Sequence, residues 1–143
     1  MSWITLEQAR VMIATAMEVG HQEGIAPLSV VVLDAGGNVK AFEREDGASN
    51  LRFEIAHGKA YGALGLGMGS RAIMERAEKQ PSFVAAVNAT FGGRLVPVPG
   101  GVLVIHEASG IIGAVGVTGD LSDNDEAAAV AGIEAAGLIP RTG

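Results

Sequence analysis

Two β-hairpin patterns, one in each half of the chain, constrain the fold more than any other feature of the sequence. The runs LSVVVL (28–33) and VKAFER (39–44) have the composition of short strands, and the segment DAGGN between them tolerates the positive φ angles of a tight turn. Later in the chain, VLVIH and IIGAVGVT flank the turn segment EASG at 107–110. A hairpin joins antiparallel neighbours, so both patterns predict strands of an antiparallel sheet.

Helical patterns surround and separate the hairpins. Residues 5–8, TLEQ, predict a capping box at the start of the first helix, and residues 122–125, SDND, predict another at the start of the last. A cap at 49–50 is expected to open the second helix, a third helix spans 70–80, and a short helical turn follows at 82–89. Glycine and proline mark the predicted helix ends, namely Gly20 and Gly24, Gly65 to Gly69, Pro81, and Gly137 with Pro140.

The resulting order is helix, hairpin, helices, hairpin, helix. No linker, internal repeat or low-complexity segment interrupts it, so residues 1–143 are predicted to form a single α+β domain. Each helix has to bury an apolar side against another element. We therefore expect the helices to pack on one face of the antiparallel sheet.

Small aliphatic residues have to build the core of this chain. Aromatic residues make up 4% of it and hydrophobic residues 48%, and there are 21 glycines, which allow backbones to approach one another closely. Charged residues make up 18%, and the mean hydropathy is +0.33, so some apolar surface is expected to be covered by another subunit. We therefore predict a homo-oligomer.

Charge and cysteine content exclude several classes of function. The net charge is −6, the pI is about 4.9, and Lys and Arg form no run, which argues against binding to nucleic acid or to an anionic membrane. The absence of cysteine excludes disulfides, thiolate metal sites and a thiol nucleophile. Residues 1–20 fit neither a signal peptide nor a membrane span, so a cytoplasmic location is expected.

Four segments, taken together and in this order, resemble one known family. They are SVVVLDAGGNVKAFEREDGA (29–48), AHGKAYGAL (56–64), GGRLVPVPGGVLV (92–104) and GAVGVTGDLSDNDEAAAVAG (113–132). The resemblance is to the GlcG/HbpS haem-binding-type family, also called the haem-degrading domain, which includes the C-terminal domain of PduO-type proteins. It runs over nearly the whole chain.

The resemblance implies a roadblock- or profilin-like fold, in which helices pack on a five-stranded antiparallel sheet, and assembly into a larger oligomer. It also implies a small-molecule ligand, with haem or a related tetrapyrrole as the one candidate cofactor. His57 departs from the pattern of the family, because a small, apolar or amide residue is expected at that position.

The second predicted helix concentrates reactive side chains. At 100° per residue Phe53, His57 and Tyr61 lie above one another, and Glu54 is one turn away from His57. Small and apolar residues occupy the other sides, so the helix has no broad face for solvent. A histidine and a lysine on such a helix have to line a cavity, an interface or a polar network, because burial without partners is costly.

His57 and Lys59 are the candidate catalytic residues if the protein is an enzyme, which the sequence leaves open. His57 is a ligand-binding or catalytic group, a subunit contact, or a structural histidine bonded to Glu54 or to a backbone carbonyl. Lys59 either binds an anion, such as a haem propionate, or forms a structural salt bridge, with Asp46 or Glu126 as the expected partner.

Further candidates lie at the ends of predicted elements. Arg44, close to Asp46 at the end of a strand, either holds a carboxylate through its guanidinium fork or pairs with neighbouring acids. Glu126 lies in the first turn of the last helix, where the helix dipole alone explains a carboxylate.

The loop GGRLVPVPGG (92–101) is either the rim of a pocket or a plain connection. As a rim it would contribute one cation, Arg94, and it would let a ligand approach the backbone closely at Gly100 and Gly101. The full set of candidate ligand-binding residues is Arg44, Asp46, His57, Lys59, Tyr61, Arg94, Gly100, Gly101 and Glu126.

Several other patterns do not meet the requirements of the functional motifs that they resemble. His21, His57 and His106 have no spacing typical of metal ligands, so no protein metal site is predicted and His57 remains a candidate ligand only for haem iron. GLGMGS (65–70) follows a helix where a phosphate-binding loop follows a strand. No serine lies in a nucleophile elbow.

Three functions are compatible with these observations, and the resemblance favours the first. A haem- or tetrapyrrole-binding protein needs an axial ligand, which His57, another histidine, Tyr61 or a methionine could supply. Its propionates need cations, and Arg44, Lys59 and Arg94 are available. The alternative is a cofactor-free isomerase, hydratase or decarboxylase that holds a small carboxylate metabolite and moves a proton with His57. The third is an assembly protein whose apolar surface serves subunit contacts.

Overall fold

The computed structural model describes residues 3–143, which form five α-helices and one five-stranded sheet. The elements in chain order are α1 (Leu6–Glu23), β1 (Ser29–Asp34), β2 (Val39–Arg44), α2 (Arg52–Leu66), α3 (Ser70–Lys79), α4 (Pro81–Thr90), β3 (Gly101–His106), β4 (Gly110–Thr118), α5 (Ser122–Ala135) and β5 (Ile139–Arg141). The strand order is β2-β1-β4-β3-β5, and all neighbours are antiparallel. The predicted α+β class and antiparallel sheet are confirmed.

Both predicted hairpins are present. In the first, the Asp34 carboxylate accepts hydrogen bonds from the backbone N–H groups of Gly36 (3.0 Å) and Asn38 (2.9 Å), which closes the turn between β1 and β2. The second joins β3 to β4 at the predicted turn. Periodicity did not predict β5, in which Pro140 lies. A short strand at the sheet edge tolerates proline, because the missing N–H can face away from the ladder.

Helices cover both faces of the sheet, so the prediction of a single covered face is wrong. On one face α1 and α5 pack against a core that includes Val30 and Val32 of β1. On the other face α2 packs against Val31 and Leu33. Successive side chains of a strand point to opposite faces, so a strand without polar alternation has to be covered on both. The run LSVVVL (28–33) has no polar alternation, so the sequence itself indicates a strand that is covered on both faces.

The predicted starts of α1 and α3 are confirmed, and α3 begins at Ser70 as expected. The Gln8 N–H donates to Thr5 Oγ1 and the Thr5 N–H donates to Gln8 Oε1, both at 3.0 Å, which confirms the first capping box. The predicted caps of α2 and α5 are wrong, because Leu51 and Leu121 occupy those N-cap positions and neither helix has a side-chain cap. The carboxylate of Asp125 makes buried contacts instead.

Helix ends lie close to the predicted ones. Gly24 and Gly67, both with left-handed backbone, follow α1 and α2, whereas Gly20 lies inside α1. Pro81 begins α4, which continues to Thr90 and is longer than the predicted turn. None of the helices in the described part of the chain is long and apolar enough to cross a membrane.

Alanine and glycine bring α2 very close to the sheet. Ala56, Ala60 and Ala63 are fully buried on the side of α2 that faces the sheet. A Cβ added at Gly116 of β4 would lie 2.0 Å from the Ala56 carbonyl oxygen, closer than real Cβ contacts allow. This contact fixes the position of α2, whose outer side then meets the loop 91–100.

Candidate functional site

A groove lies on the outer side of α2, between its N-terminal half and the loop that precedes β3. This α2 groove has a volume of about 350 Å³ and is partly open to solvent. Its lining residues are Leu51, Phe53, Glu54, Ile55, His57, Gly93, Arg94 and Val96. The walls are mainly apolar, and the polar side chains among these residues are one imidazole, one guanidinium and one carboxylate.

The loop lies close to α2 because Gly58 has no side chain. The Val96 N–H donates to the Gly58 carbonyl oxygen at 3.4 Å, and a Cβ at Gly58 would lie 2.3 Å from the Arg94 carbonyl oxygen. The next loop residue, Leu95, is buried, and its N–H donates to Asn88 Oδ1 at 3.0 Å. These contacts hold the loop as one wall of the groove.

His57 lies in a continuous row of rings along α2. The ring centroids are 4.9 Å apart for Phe42 and Phe53, 5.6 Å for Phe53 and His57, and 5.2 Å for His57 and Tyr61. Phe91 extends the row, 5.6 Å from Tyr61. The predicted alignment of Phe53, His57 and Tyr61 is therefore present, and the imidazole is held between two rings.

The imidazole of His57 lines the groove. The expected hydrogen bond to Glu54 or to a carbonyl is absent, and neither ring nitrogen has a hydrogen-bond partner among residues 3–143. Burial, and to a smaller extent the nearby Arg94 guanidinium, lowers the pKa of His57 below its ordinary value of 6.5. The imidazole is therefore neutral at neutral pH.

Lys59 is not part of the α2 groove. Its side chain is 2% exposed, and Nζ donates to the Val117 carbonyl oxygen at 3.0 Å and to Asp125 Oδ2 at 3.2 Å. The partner is thus Asp125, and the expected pairing with Asp46 or Glu126 is wrong. Burial lowers the pKa of Lys59 and raises that of Asp125, since lost hydration outweighs the attraction between the two charges.

Three more of the predicted residues lie near this buried pair, outside the groove. Gly100 and Gly101 contact Lys59: a Cβ at Gly101 would lie 2.3 Å from the Lys59 carbonyl oxygen. Glu126 pairs with Arg71, whose Nε donates to Glu126 Oε2 at 3.0 Å. The structure gives these three residues packing and ion-pair contacts.

Arg44 and Asp46 lie on a different part of the surface. They border a shallow depression next to α1, together with His21 and Glu45. Glu45 accepts a hydrogen bond from the Leu28 N–H at 2.7 Å through Oε1, and its Oε2 contacts His21 Nε2. Arg44 and Asp46 are therefore not brought together with His57.

Tyr61 lies beside the groove without lining it. Its ring packs against the hairpin turn at Gly37, where φ is +82° and an added Cβ would lie 3.2 Å from the ring. The Arg94 guanidinium carbon is 5.9 Å from the ring centroid. Tyr61 thus helps to position both His57 and Arg94.

Sequence reasoning missed two parts of the site. The apolar wall formed by Leu51, Ile55 and Val96 was not predicted, although all three are large aliphatic residues on the helix and loop that were singled out. Asp125 was explained as a helix cap. Among residues 3–143, no group of three or more acids and histidines is placed to hold a metal ion.

Comparisons with known proteins identify relatives of this chain. A family model described as "Haem degrading protein HbpS-like" matches residues 4–134. An uncharacterized 15.0 kDa protein in the dhaT-dhaS intergenic region of Citrobacter freundii is 34% identical over 122 residues, which are 85% of this chain and 84% of that protein.

Solved structures share the fold. The Klebsiella pneumoniae protein ORFY has a TM-score of 0.86 and 27% identity, over 96% of this chain and 93% of that one. The crystal structure of HbpS has a TM-score of 0.78 and 27% identity, over 94% and 90%. A PduOC:heme complex has a TM-score of 0.85, over 96% of this chain and 97% of that one. Its identity to this chain is 21%, so the comparison shows a shared fold and no more.

Proposed function

This chain belongs to the HbpS-like family, and from that premise we propose that it binds haem or a related tetrapyrrole in the α2 groove. The observation that carries the proposal is an imidazole without a hydrogen-bond partner among the described residues, held by flanking rings in an apolar groove next to a guanidinium. Each part of this arrangement corresponds to a part of the ligand.

His57 would supply the axial ligand. Iron binds the neutral form of imidazole, and the lowered pKa of His57 favours that form at neutral pH. Stacking between Phe53 and Tyr61 fixes the plane of the ring, so little side-chain freedom is lost on binding.

The walls of the groove fit the remainder of the ligand. Leu51, Phe53 and Ile55 offer apolar surface to a flat macrocycle, and the exposed guanidinium of Arg94 offers a charge-assisted hydrogen bond to a propionate. When bound, the haem iron supplies the coordination and redox chemistry. The chain supplies the axial base, the propionate partner and a surface that excludes water from one face.

The relatives support the choice of ligand. The matching family model is described as a haem-degrading protein. PduOC, which shares this fold, has a crystal structure in complex with haem. Neither fact concerns His57, which departs from the pattern of the family. The His57 assignment depends on the geometry of the groove in this chain.

Titration of the protein with haemin tests the proposal. We expect a saturable change in the Soret band that is lost in His57→Ala. The matched control is His21→Ala, because His21 is an exposed histidine that lines a different depression. Loss of the Soret change in His21→Ala, with His57→Ala unaffected, would place the ligand elsewhere and contradict the proposal.

One observation favours a second candidate, an acid–base enzyme that acts on a small carboxylate. The neutral imidazole of His57 beside the Arg94 cation could move a proton in a substrate whose carboxylate Arg94 holds. Lys59 takes no part, since Asp125 engages its ammonium group. Turnover of a carboxylate metabolite that is lost in His57→Gln, without added haem, would favour this function.

A further inference from the structure

We infer that the start of α2 binds a small carboxylate on the side that faces the sheet, through the Arg52 guanidinium and the buried hydroxyls of Ser29 and Thr118. None of these three residues lines the α2 groove, which lies on the outer side of the same helix. The inference is therefore independent of the proposed haem-binding function. It rests on hydrogen-bond donors that converge without an acceptor and on the positive charge around them.

Two hydroxyl side chains lie next to each other at the end of the sheet. Ser29 of β1 is directly opposite Thr118 of β4, and the side chains of such a pair lie on the same face of a sheet. Val31, two residues after Ser29 in β1, packs on the α2 side, so both hydroxyls face α2. Ser29 is completely buried, and Thr118 is 1% exposed.

Arg52, the first residue of α2, reaches these hydroxyls from the helix. Its Nη1 donates to Thr118 Oγ1 and its Nε donates to Ser49 Oγ, both at 2.9 Å. Its third nitrogen, Nη2, has no acceptor among residues 3–143, and the guanidinium forms no ion pair with any of them. Arg52 therefore has charge and one donor group available for a ligand.

The cluster contains more donors than acceptors. Ser29 Oγ is the one buried side-chain nitrogen or oxygen in the described part of the chain that has no hydrogen-bond partner. Thr118 Oγ1 accepts from Arg52, and its own proton has no acceptor among the described residues. Buried donors without acceptors are costly, and a carboxylate, which only accepts, can satisfy them together with Arg52 Nη2.

The charge at the start of α2 also calls for an anion. Arg52 lies in the first turn, where the helix dipole already places partial positive charge, and α2 has no side-chain cap. Glu54, the acid of that turn, lines the groove on the outer side of the helix. Asp125 is engaged by Lys59. A bound carboxylate would supply the negative charge that the neighbouring side chains leave missing.

The cluster suits a single carboxylate group better than a phosphate. A carboxylate is planar and compact, and it can accept from the guanidinium with one oxygen and from the hydroxyls with the other. Inorganic phosphate would bring more negative charge into buried surroundings than one guanidinium balances. Arg52 is half-buried, so the remainder of the ligand would lie on its side of the cluster. We therefore expect short monocarboxylates, with acetate as the probe.

The first experiment is a titration of the isotopically labelled full chain with sodium acetate, followed in amide NMR spectra. We expect saturable shifts at the amides of Ser29, Phe53 and Thr118, and none with sodium chloride at the same ionic strength. Inorganic phosphate should bind about tenfold more weakly or less. Shifts that do not saturate, equal shifts with chloride, or equal affinity for phosphate would each overturn the inference.

The second experiment tests the buried hydroxyl. Ser29→Ala should weaken acetate binding about tenfold, while its unfolding midpoint in urea without acetate should not fall, because the variant removes an unsatisfied group. The matched control is Ser70→Ala, since Ser70 is a buried serine whose Oγ accepts from the Gly101 N–H at 2.7 Å. Unchanged acetate affinity in Ser29→Ala, or an equal loss in Ser70→Ala, would overturn the inference.

The third experiment tests the guanidinium. Arg52→Gln keeps a hydrogen-bonding side chain without the charge and should abolish the saturable acetate shifts, whereas Arg10→Gln, at an exposed position of α1, should leave them unchanged. Acetate affinity retained in Arg52→Gln would overturn the inference. Haemin should bind to Ser29→Ala as it does to the unmodified chain, so failure of the acetate site and failure of the haem site are seen in separate measurements.

Discussion

Lys59 Nζ lies 3.2 Å from Asp125 Oδ2, and both side chains are almost completely removed from solvent. Lys59 belongs to α2 and Asp125 to α5, so the ion pair links the two helical layers that cover opposite faces of the sheet. Its second contact, from Lys59 Nζ to the Val117 carbonyl oxygen, ties the link to β4. The pair therefore joins all three layers at one point.

Removal of one partner should be strongly destabilising. Lys59→Met leaves the Asp125 carboxylate buried without its cation, and we expect the free energy of unfolding to fall by about 3–5 kcal/mol in urea denaturation. Removal of both charges in Lys59→Met with Asp125→Asn should recover most of that loss, because the Asn side chain can still accept from the Asp120 N–H. A double variant no more stable than Lys59→Met would contradict this account, and Lys79→Met, at an exposed position, is the control.

Acidification should destabilise the protein through His57. The pKa of His57 in the folded chain is below its ordinary value of 6.5, so between these two values the unfolded chain binds more protons. The free energy of unfolding should therefore fall as the pH decreases from about 6.5 through the folded-state pKa, and this contribution should be constant above 6.5. His57→Phe, which keeps a ring between Phe53 and Tyr61, should lack the decrease when urea denaturation is repeated across the pH range. The same decrease in both proteins would assign it to another group.

An added methyl group at Gly58 should open the groove. Its Cβ would lie 2.3 Å from the Arg94 carbonyl oxygen, so Gly58→Ala has to push the loop wall away from α2, at a cost of about 1–3 kcal/mol in stability. Haemin binding should weaken in parallel, as measured by Soret titration. Gly20→Ala is the matched control inside a helix, since its Cβ would meet the flexible end of Leu28 and its binding of haemin should be unchanged. Equal haemin affinity in Gly58→Ala and the unmodified chain would show that the loop is not part of the site.

Arg94 should distinguish ligands by their carboxylates. Arg94→Met removes the cation and keeps an unbranched side chain, so haemin should bind about tenfold more weakly, while haemin dimethyl ester, which has no carboxylate, should bind equally to both proteins. Arg44→Met, which alters the separate depression next to α1, should bind both ligands as the unmodified chain does. A parallel loss for the ester would assign Arg94 a packing role.

The elements that could be predicted from sequence are those whose signal is local. The two hairpins depend on neighbouring residues such as Asp34 and Asn38, and the stacking of Phe53, His57 and Tyr61 depends on helical spacing alone. Both are present in the structure. Five strands were expected from the family resemblance, since β5 has no periodic signal of its own.

The relationships that could not be predicted depend on distant partners. Lys59 and Asp125 are 66 positions apart, and an aspartate in the first turn of a helix looks like a cap until its surroundings are known. In the sequence, Arg44 and Arg94 are both candidate partners of a carboxylate, and only the path of the loop brings Arg94 to His57. The run LSVVVL indicates cover on both faces of the sheet, but which helix covers the second face depends on where α2 packs.

The close contact between α2 and β4 restricts the positions at which this protein can tolerate amino-acid substitutions. At Gly116 and Ala56 the two backbones leave no room for a larger side chain, so substitutions there would disturb the architecture. The groove residues project from the other side of the same helix, where substitution need not disturb that contact. A descendant of this chain could acquire a different ligand by altering one side of α2 while inheriting the other unchanged.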